Sequence, residues 1–314
     1  MPTLLVCSAT DDLRSVQSAL RSVASKEMPG LTVTLWPEPF DPQDVIGVAA
    51  WHPPASLLRQ LPHVKLIASI GAGTEHILRC PDLPHGVPVT RVADAGQAIG
   101  MAEYLLWTAL HFHRDMDQML AQQSQSLWRM PVQRAAAQFR IGIMGLGLMG
   151  QAAAVRLRGN GFVVSGWARN HHAIDGISTF AGNAELDSFL APLDMVICLL
   201  PLTPATRAIG DVQFLAKLKP GAVLVNVGRG EHVVIPDLLA ALDRGHLRAA
   251  VLDVFDSEPL SQGDPLWRHP RVIITPHMAS SASETTIASQ IIGDVLRVQQ
   301  GLNPAHTIDL ALGY

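Results

Sequence analysis

Arg229, Glu258 and His277 lie in three short segments that each carry polar residues out of an apolar run: Asn226-Val227-Gly228-Arg229-Gly230, Asp253-Val254-Phe255-Asp256-Ser257-Glu258-Pro259 and Thr275-Pro276-His277. The runs at 222–227, 249–254 and 272–275 have the continuous apolar character of parallel strands buried on both faces. Ligands of such sheets bind outside the carboxyl ends of the strands. Brought together there, the three side chains suit hydride transfer to a carbonyl. A guanidinium grips a carboxylate with its planar fork and polarises the neighbouring carbonyl, an imidazolium hands that carbonyl a proton, and a carboxylate orients the imidazole and favours its charged form. Each residue alone is weak evidence, because the chain has 13 histidines and a lone one is more often structural or exposed. Their common place at strand ends gives the set its weight.

Upstream, Gly145-Leu146-Gly147-Leu148-Met149-Gly150 follows an apolar run at 139–144 and precedes a helical pattern at 151–157. A G-x-G-x-x-G run by itself is often a plain tight turn; between a strand and a helix, with a second strand at 163–167, it fits a dinucleotide-binding loop. Gly145 permits the turn, Gly147 lets backbone approach a pyrophosphate, and Gly150 lets the helix pack on its strand. The helix beginning near Leu148 supplies N–H donors and partial positive charge. At the end of the second strand an NAD site usually carries Asp or Glu for the ribose 2′-hydroxyl. Here the chain reads Trp167-Ala168-Arg169-Asn170, with no acid until Asp175. Arg169 is suited to a 2′-phosphate, so NADP(H) is the expected cofactor and NAD(H) the alternative. The plainer reading of Arg169 is a solvated surface residue.

These residues need two domains to position them. The chain has 314 residues, 48% hydrophobic and 16% charged, enough for two buried cores and unlike a disordered segment. Its formal net charge of −4 and lack of basic clusters argue against nucleic acid as a partner. No apolar stretch has the length of a bilayer span, and Met1–Cys7 lacks the features of a signal peptide, so a cytoplasmic location with no membrane partner is expected. Cys7, Cys80 and Cys198 have neither disulfide-framework nor zinc spacing, and no metal is expected.

Apolar runs at 4–7, 31–35, 45–49 and 65–70, with an amphipathic helix over 11–24, predict a first parallel sheet that carries no phosphate-binding loop. Residues 96–124 read as one long helix linking the domains, followed by an irregular arm over 126–138 that holds Trp128. The strand–helix alternation then restarts and continues to 275. A last helix over 284–299 is expected to return to the first domain. The fold class is therefore α/β, with two Rossmann-like parallel-sheet domains, flavodoxin-like and doubly wound, and an active-site cleft between them. The expected division is 1–95 plus 282–314 for substrate and 96–281 for the dinucleotide.

Taken together, the motifs resemble those of the D-2-hydroxyacid dehydrogenase family over nearly the whole chain. The landmarks are Gly71-Ala72-Gly73-Thr74-Glu75-His76, Ala102-Glu103-Tyr104, the Gly145 loop, Leu199-Leu200-Pro201-Leu202-Thr203-Pro204-Ala205-Thr206, the three segments above, and Pro265-Leu266-Trp267. Trp51-His52-Pro53-Pro54, Trp167-Ala168-Arg169 and the terminal Gly313-Tyr314 resemble the glyoxylate/hydroxypyruvate reductase A branch. The resemblance implies NADPH-dependent reduction of glyoxylate or hydroxypyruvate to glycolate or D-glycerate. Arg229 would bind the substrate carboxylate and carbonyl, His277 would be the acid/base and Glu258 its partner. Backbone amides of Gly71, Ala72 and Gly73 would hold the carboxylate, and Trp51 would line the pocket, although an ordinary buried aromatic is as good a reading of Trp51.

The implied cofactor contacts are Gly145, Gly147, Leu148, Met149 and Gly150, then Trp167, Ala168 and Arg169. Pro201, Leu202 and Thr203 would flank the cofactor, joined by Val227, Gly228 and Arg229, with Asp253 and His277 at the nicotinamide end. A homodimer through the long helix and the Trp128 arm is also implied. Two places depart from the family pattern: Met278-Ala279-Ser280 stands where many relatives have a small residue and then Gly, and Gly228 where they often have Ala or Ser. Two rivals remain in view. Gly145–Gly150 also reads like the G-L-G-x-M-G signature of β-hydroxyacid dehydrogenases, and a non-catalytic NAD(P)H-sensing protein could use the same scaffold.

Overall fold

A computed structural model describes residues 1–310, so Gly313 and Tyr314 lie outside the described residues. The chain forms two compact units, one of residues 1–96 with the segment that starts at Ser281, the other of residues 97–280.

In the first unit, β1 (Thr3–Ser8), α1 (Arg14–Glu27), β2 (Thr32–Leu35), β3 (Val45–Trp51), β4 (Leu66–Ser69), α2 (Glu75–Leu78) and β5 (Val89–Thr90) follow in order. The sheet is parallel, ordered β2-β1-β3-β4-β5, which is the flavodoxin-like arrangement. All six residues of β1 are buried, as the unbroken apolar run requires of a central strand.

The second unit begins in α3 (Ala95–His113) and continues with α4 (Met116–Ser124). Then come β6 (Arg140–Met144), α5 (Leu148–Gly159), β7 (Val163–Ala168), β8 (Ser178–Ala181), α6 (Gly182–Leu190), β9 (Met195–Cys198) and α7 (Val212–Lys217). It ends with β10 (Ala222–Asn226), α8 (Ile235–Asp243), β11 (Leu247–Leu252) and β12 (Val272–Ile274). Its sheet is also parallel, ordered β12-β11-β10-β9-β6-β7-β8. The order reverses between β6 and β9, the switch point at which doubly wound sheets bind ligands.

Returning to the first unit, α9 (Glu284–Gln299) packs on α1, β3 and β4. Ile287, Ala288, Ile291, Ile292 and Val295 give it one buried stripe, and the Ser283 hydroxyl caps it by accepting from the Thr286 N–H at 3.1 Å.

The single helix read over 96–124 is in fact two. Asp115 sits at φ 54°, in the left-handed region, and breaks the run between α3 and α4. Arg248 of β11 holds the break: its guanidinium donates to Asp115 at 2.7 Å, to both oxygens of Asp117, and to the Phe112 carbonyl at 3.3 Å. The arm that follows has no regular element before a short 3₁₀ turn at Ala136–Gln138, and Trp128 there is 99% exposed, so it is no part of this unit's core. Among the described residues no helix is long and apolar enough to cross a membrane. Cys7 and Cys198 are buried, and burial pushes both thiols up to about 12, which leaves them protonated and unreactive.

Candidate active site

Because the strands of the second sheet run parallel, their carboxyl ends share one edge, and every loop singled out in this half of the sequence leaves from it. Residues 145–150 follow β6, Arg169 follows β7, 199–206 follow β9, 227–232 follow β10, 253–258 follow β11 and 275–279 follow β12.

The glycine loop fits a dinucleotide pyrophosphate. Gly145 has φ +100°, and a Cβ there would lie 2.6 Å from the Leu199 carbonyl oxygen. A Cβ on Gly150 would lie 1.9 Å from the Gly145 carbonyl oxygen, so only glycine lets α5 start against β6. A Cβ on Gly147 would meet nothing within 4 Å, so this exposed residue presents bare backbone to open space. Gly147 caps α5 without any side-chain hydrogen bond, and the first turn holds no acid to compete with an anion. Leu148 is exposed and Met149 half-buried against the core.

At the end of β7 the Trp167 ring is buried in the core and its indole N–H donates to the Gly182 carbonyl at 2.9 Å. Ala168 is buried beside it and Arg169 is exposed. The Pro201–Thr203 loop is fixed by Thr206, whose hydroxyl donates to the Pro201 carbonyl at 2.6 Å and accepts from the Thr203 N–H at 2.8 Å.

Arg229 is set by a short turn. The buried Asn226 amide donates to the Arg229 carbonyl at 2.8 Å and accepts from the Gly228 N–H at 3.2 Å. His232, fully buried, accepts the Arg229 N–H on Nδ1 at 3.0 Å. Its Nδ1 is therefore the bare nitrogen, and Nε2–H faces the Pro201 carbonyl at 3.3 Å. One imidazole thus bridges the Arg229 turn and the Pro201 loop. Local pattern does not mark this histidine as functional; its one signal in the sequence is its place three residues after the arginine. It also explains Gly228, whose Cβ would lie 2.8 Å from His232 Nδ1 and 3.2 Å from the Leu200 carbonyl oxygen.

His277 Nδ1 pairs with Glu258 Oε2 at 2.7 Å, and Glu258 Oε1 accepts the Phe255 N–H at 2.9 Å. Burial alone would push the Glu258 carboxyl up. The hydrogen bonds from His277 and Phe255 and the charges of His277 and Arg229 outweigh it and hold the group below its ordinary 4.5. A depressed carboxylate stabilises the fold above its unfolded pKa, and that contribution fades as pH falls through the lower folded value. The Glu258 carboxylate is therefore ionised throughout the neutral range. His277 itself has φ 52°, a left-handed conformation worth about 1–3 kcal/mol of strain in a non-glycine residue.

In the first unit, the loop after β4 contains Gly71, Ala72 and Gly73. The Gly71 N–H faces Ser69 Oγ at 3.2 Å, and Ser69 Oγ donates to the Gly73 carbonyl at 2.7 Å. Trp51, at the end of β3, lies on this loop: a Cβ on Gly71 would be 2.8 Å from its ring. The His76 ring packs on its indole with centroids 4.2 Å apart.

Residues 106–279 match the family model for the NAD binding domain of D-isomer specific 2-hydroxyacid dehydrogenases. The chain is 40% identical over 295 residues to glyoxylate/hydroxypyruvate reductase A of Serratia proteamaculans, covering 92% of this chain and 94% of that one. A D-isomer specific 2-hydroxyacid dehydrogenase from Xanthobacter autotrophicus, solved with NADPH and MES, superposes with a TM-score of 0.93 at 38% identity, covering 100% of this chain and 99% of that one. The NADPH-dependent glyoxylate/hydroxypyruvate reductase of Sinorhizobium meliloti, solved with NADP and sulfate, gives 0.91 at 33% identity, with full coverage of both chains. Together with the loop and the His277–Glu258 pair, these matches show that the chain belongs to the D-isomer specific 2-hydroxyacid dehydrogenase family.

Proposed function

We propose that this protein reduces glyoxylate and hydroxypyruvate with NADPH, giving glycolate and D-glycerate. The observation that carries the reading is the His277–Glu258 pair, at 2.7 Å, on the same sheet edge as a glycine loop shaped for a dinucleotide. NADPH, when bound, supplies the hydride. Arg229 grips the substrate carboxylate and polarises its carbonyl. With Nδ1 held by Glu258, His277 gives the carbonyl oxygen a proton from Nε2, and solvent restores that proton through a side chain that is 40% exposed.

Nucleotide binding falls to residues 97–280. Gly145, Gly147 and the first turn of α5 hold the pyrophosphate, and Pro201–Thr203, Val227 and Gly228 flank the cofactor. Asp253 and His277 lie toward the nicotinamide. Carboxylate recognition in the first unit falls to the amides of Ala72 and Gly73, since that of Gly71 already faces Ser69, and Trp51 lines the substrate site.

Arg169 carries the preference for NADP through the 2′-phosphate. Arg169→Ala should raise the KM for NADPH about tenfold, one charge-assisted hydrogen bond discounted for exposure, and leave that for NADH unchanged. Equal effects on both cofactors would remove Arg169 from the phosphate site.

The proposal includes a cytoplasmic homodimer. Trp107, Leu110 and Met116 of α3 and α4 expose apolar surface beside the arm, where Trp128, Met130 and Val132 are almost fully exposed. Trp107, Leu110 and Met116 line one hollow with Pro131 of the arm, and exposed apolar surface of this kind is typical of subunit contacts. Leu110→Glu should convert a dimer to a monomer in sedimentation; a wild-type monomer refutes the dimer.

Turnover tests the function. The purified chain should oxidise NADPH with glyoxylate and hydroxypyruvate, and a failure to do so refutes the reading.

A further inference from the structure

We propose that Tyr104 is a positioning residue for the acid His277, acting from α3 through Thr275 and Asp253. The inference rests on the reading of His277 as proton donor. Its starting point is the left-handed backbone of His277, a conformation that the surroundings must enforce.

Asp253 enforces it. Its carbonyl accepts the His277 N–H at 2.8 Å, while its carboxylate accepts the Met278 N–H at 2.9 Å on Oδ1 and the Ala279 N–H at 3.0 Å on Oδ2. Asp253 is 1% exposed, so its carboxylate oxygens need hydrogen-bond donors from the protein.

A third donor is the Thr275 hydroxyl, 2.6 Å from Oδ1. An ionised carboxylate only accepts, so the Thr275 proton must point at Asp253. Thr275 Oγ1 is then left to accept, and the Tyr104 hydroxyl, 2.7 Å away, is its donor. Burial, with the Asp253 charge adding to it, pushes the Tyr104 phenol up to about 12, so it keeps its proton at any working pH.

The far end of the chain is rigid. Tyr104 lies on α3 between Met101, Ala102 and Leu105, all buried in the core, and its carbonyl accepts from Thr108 Oγ1 at 2.9 Å. The run Tyr104–Thr275–Asp253 thus ties the strained loop to a helix 171 residues away in sequence. Deleting the Tyr104 hydroxyl leaves Thr275 held by Asp253 alone and loosens the Met278 and Ala279 amides that the Asp253 carboxylate holds. Misplacement of an acid by a fraction of an ångström is costly for proton transfer.

The test uses Tyr104→Phe, Thr275→Val, Thr275→Ser and the Phe/Val double variant in the full chain. Tyr104→Phe should lower kcat about tenfold, leave the Kd for NADPH within about twofold, and enlarge the solvent deuterium effect on kcat. Thr275→Val should do the same, Thr275→Ser should recover most of that loss, and the double variant should fall no further than either single one. Hydrogen exchange at Met278 and Ala279 should accelerate in Tyr104→Phe without any ligand present. Unchanged exchange at those amides overturns the proposal, as does multiplication of the two single effects. The exchange arm decides the relay even if the chain fails to turn over, an outcome that would count against the proposed reaction alone.

Discussion

His277→Gln should lower kcat by about 10³-fold while NADPH binds as before, because removing a positioned general acid typically costs 10²–10⁴-fold. Glutamine keeps the approximate size and can still donate to Glu258, so the fold and the left-handed turn should survive. What it lacks is an ionisable nitrogen. The loss should therefore fall on kcat and kcat/KM alike, the pattern of an interaction made in the transition state. The effect should be measured with NADPH binding followed by fluorescence in the same preparation. Retained turnover would remove His277 from the chemistry and leave the 2.7 Å pair with Glu258 as a structural contact.

Arg229→Ala should lower kcat/KM by about 10³-fold, with KM raised and kcat lowered together. A bidentate grip on a carboxylate amounts to two charge-assisted bonds of about 2 kcal/mol each, and each ~1.4 kcal/mol is a factor of ten. Binding of the acid in the ground state loses part of this and polarisation of the carbonyl the rest. Arg229→Lys keeps the charge without the fork and should recover only part of the loss, about tenfold. Steady-state kinetics with hydroxypyruvate decides the matter. An alanine variant with an unchanged KM would place the carboxylate elsewhere.

Much of this was legible in the chain because it depends on local pattern. The glycine loop, the apolar runs and the polar residues at their ends belong to neighbouring positions, and the stripe of α9 is marked by its own cap and spacing. Features set by distant partners were hidden. The break at Asp115 depends on Arg248, more than a hundred residues later, so the segment's good helix formers predict one helix where there are two. Strand β8 and helices α6 and α7 are short and weakly patterned, and the sheet, not local propensity, fixes them.

The site shows the same division. Residue types at strand ends announced Arg229, Glu258 and His277, but not which ring would hold Arg229 in place. Gly228 looks like a departure from the family until His232 is seen filling the space a Cβ would need. Met278-Ala279 is a departure of another kind: Asp253 holds this loop by its backbone amides, which leaves the exposed Met278 side chain free to differ, while Ala279 is buried in the core. Trp167 ends a strand beside Arg169, yet only the sheet decides that its ring turns into the core.

The most direct test of the account is a comparison of NADPH and NADH oxidation by the purified chain across glyoxylate, hydroxypyruvate and larger 2-oxo acids, followed by nicotinamide absorbance. Oxidation of NADPH by the two small acids, slower with NADH, is the expected result. Binding of NADPH with no oxidation by any acid would contradict it and make the protein a non-catalytic NAD(P)H-binding member of its family.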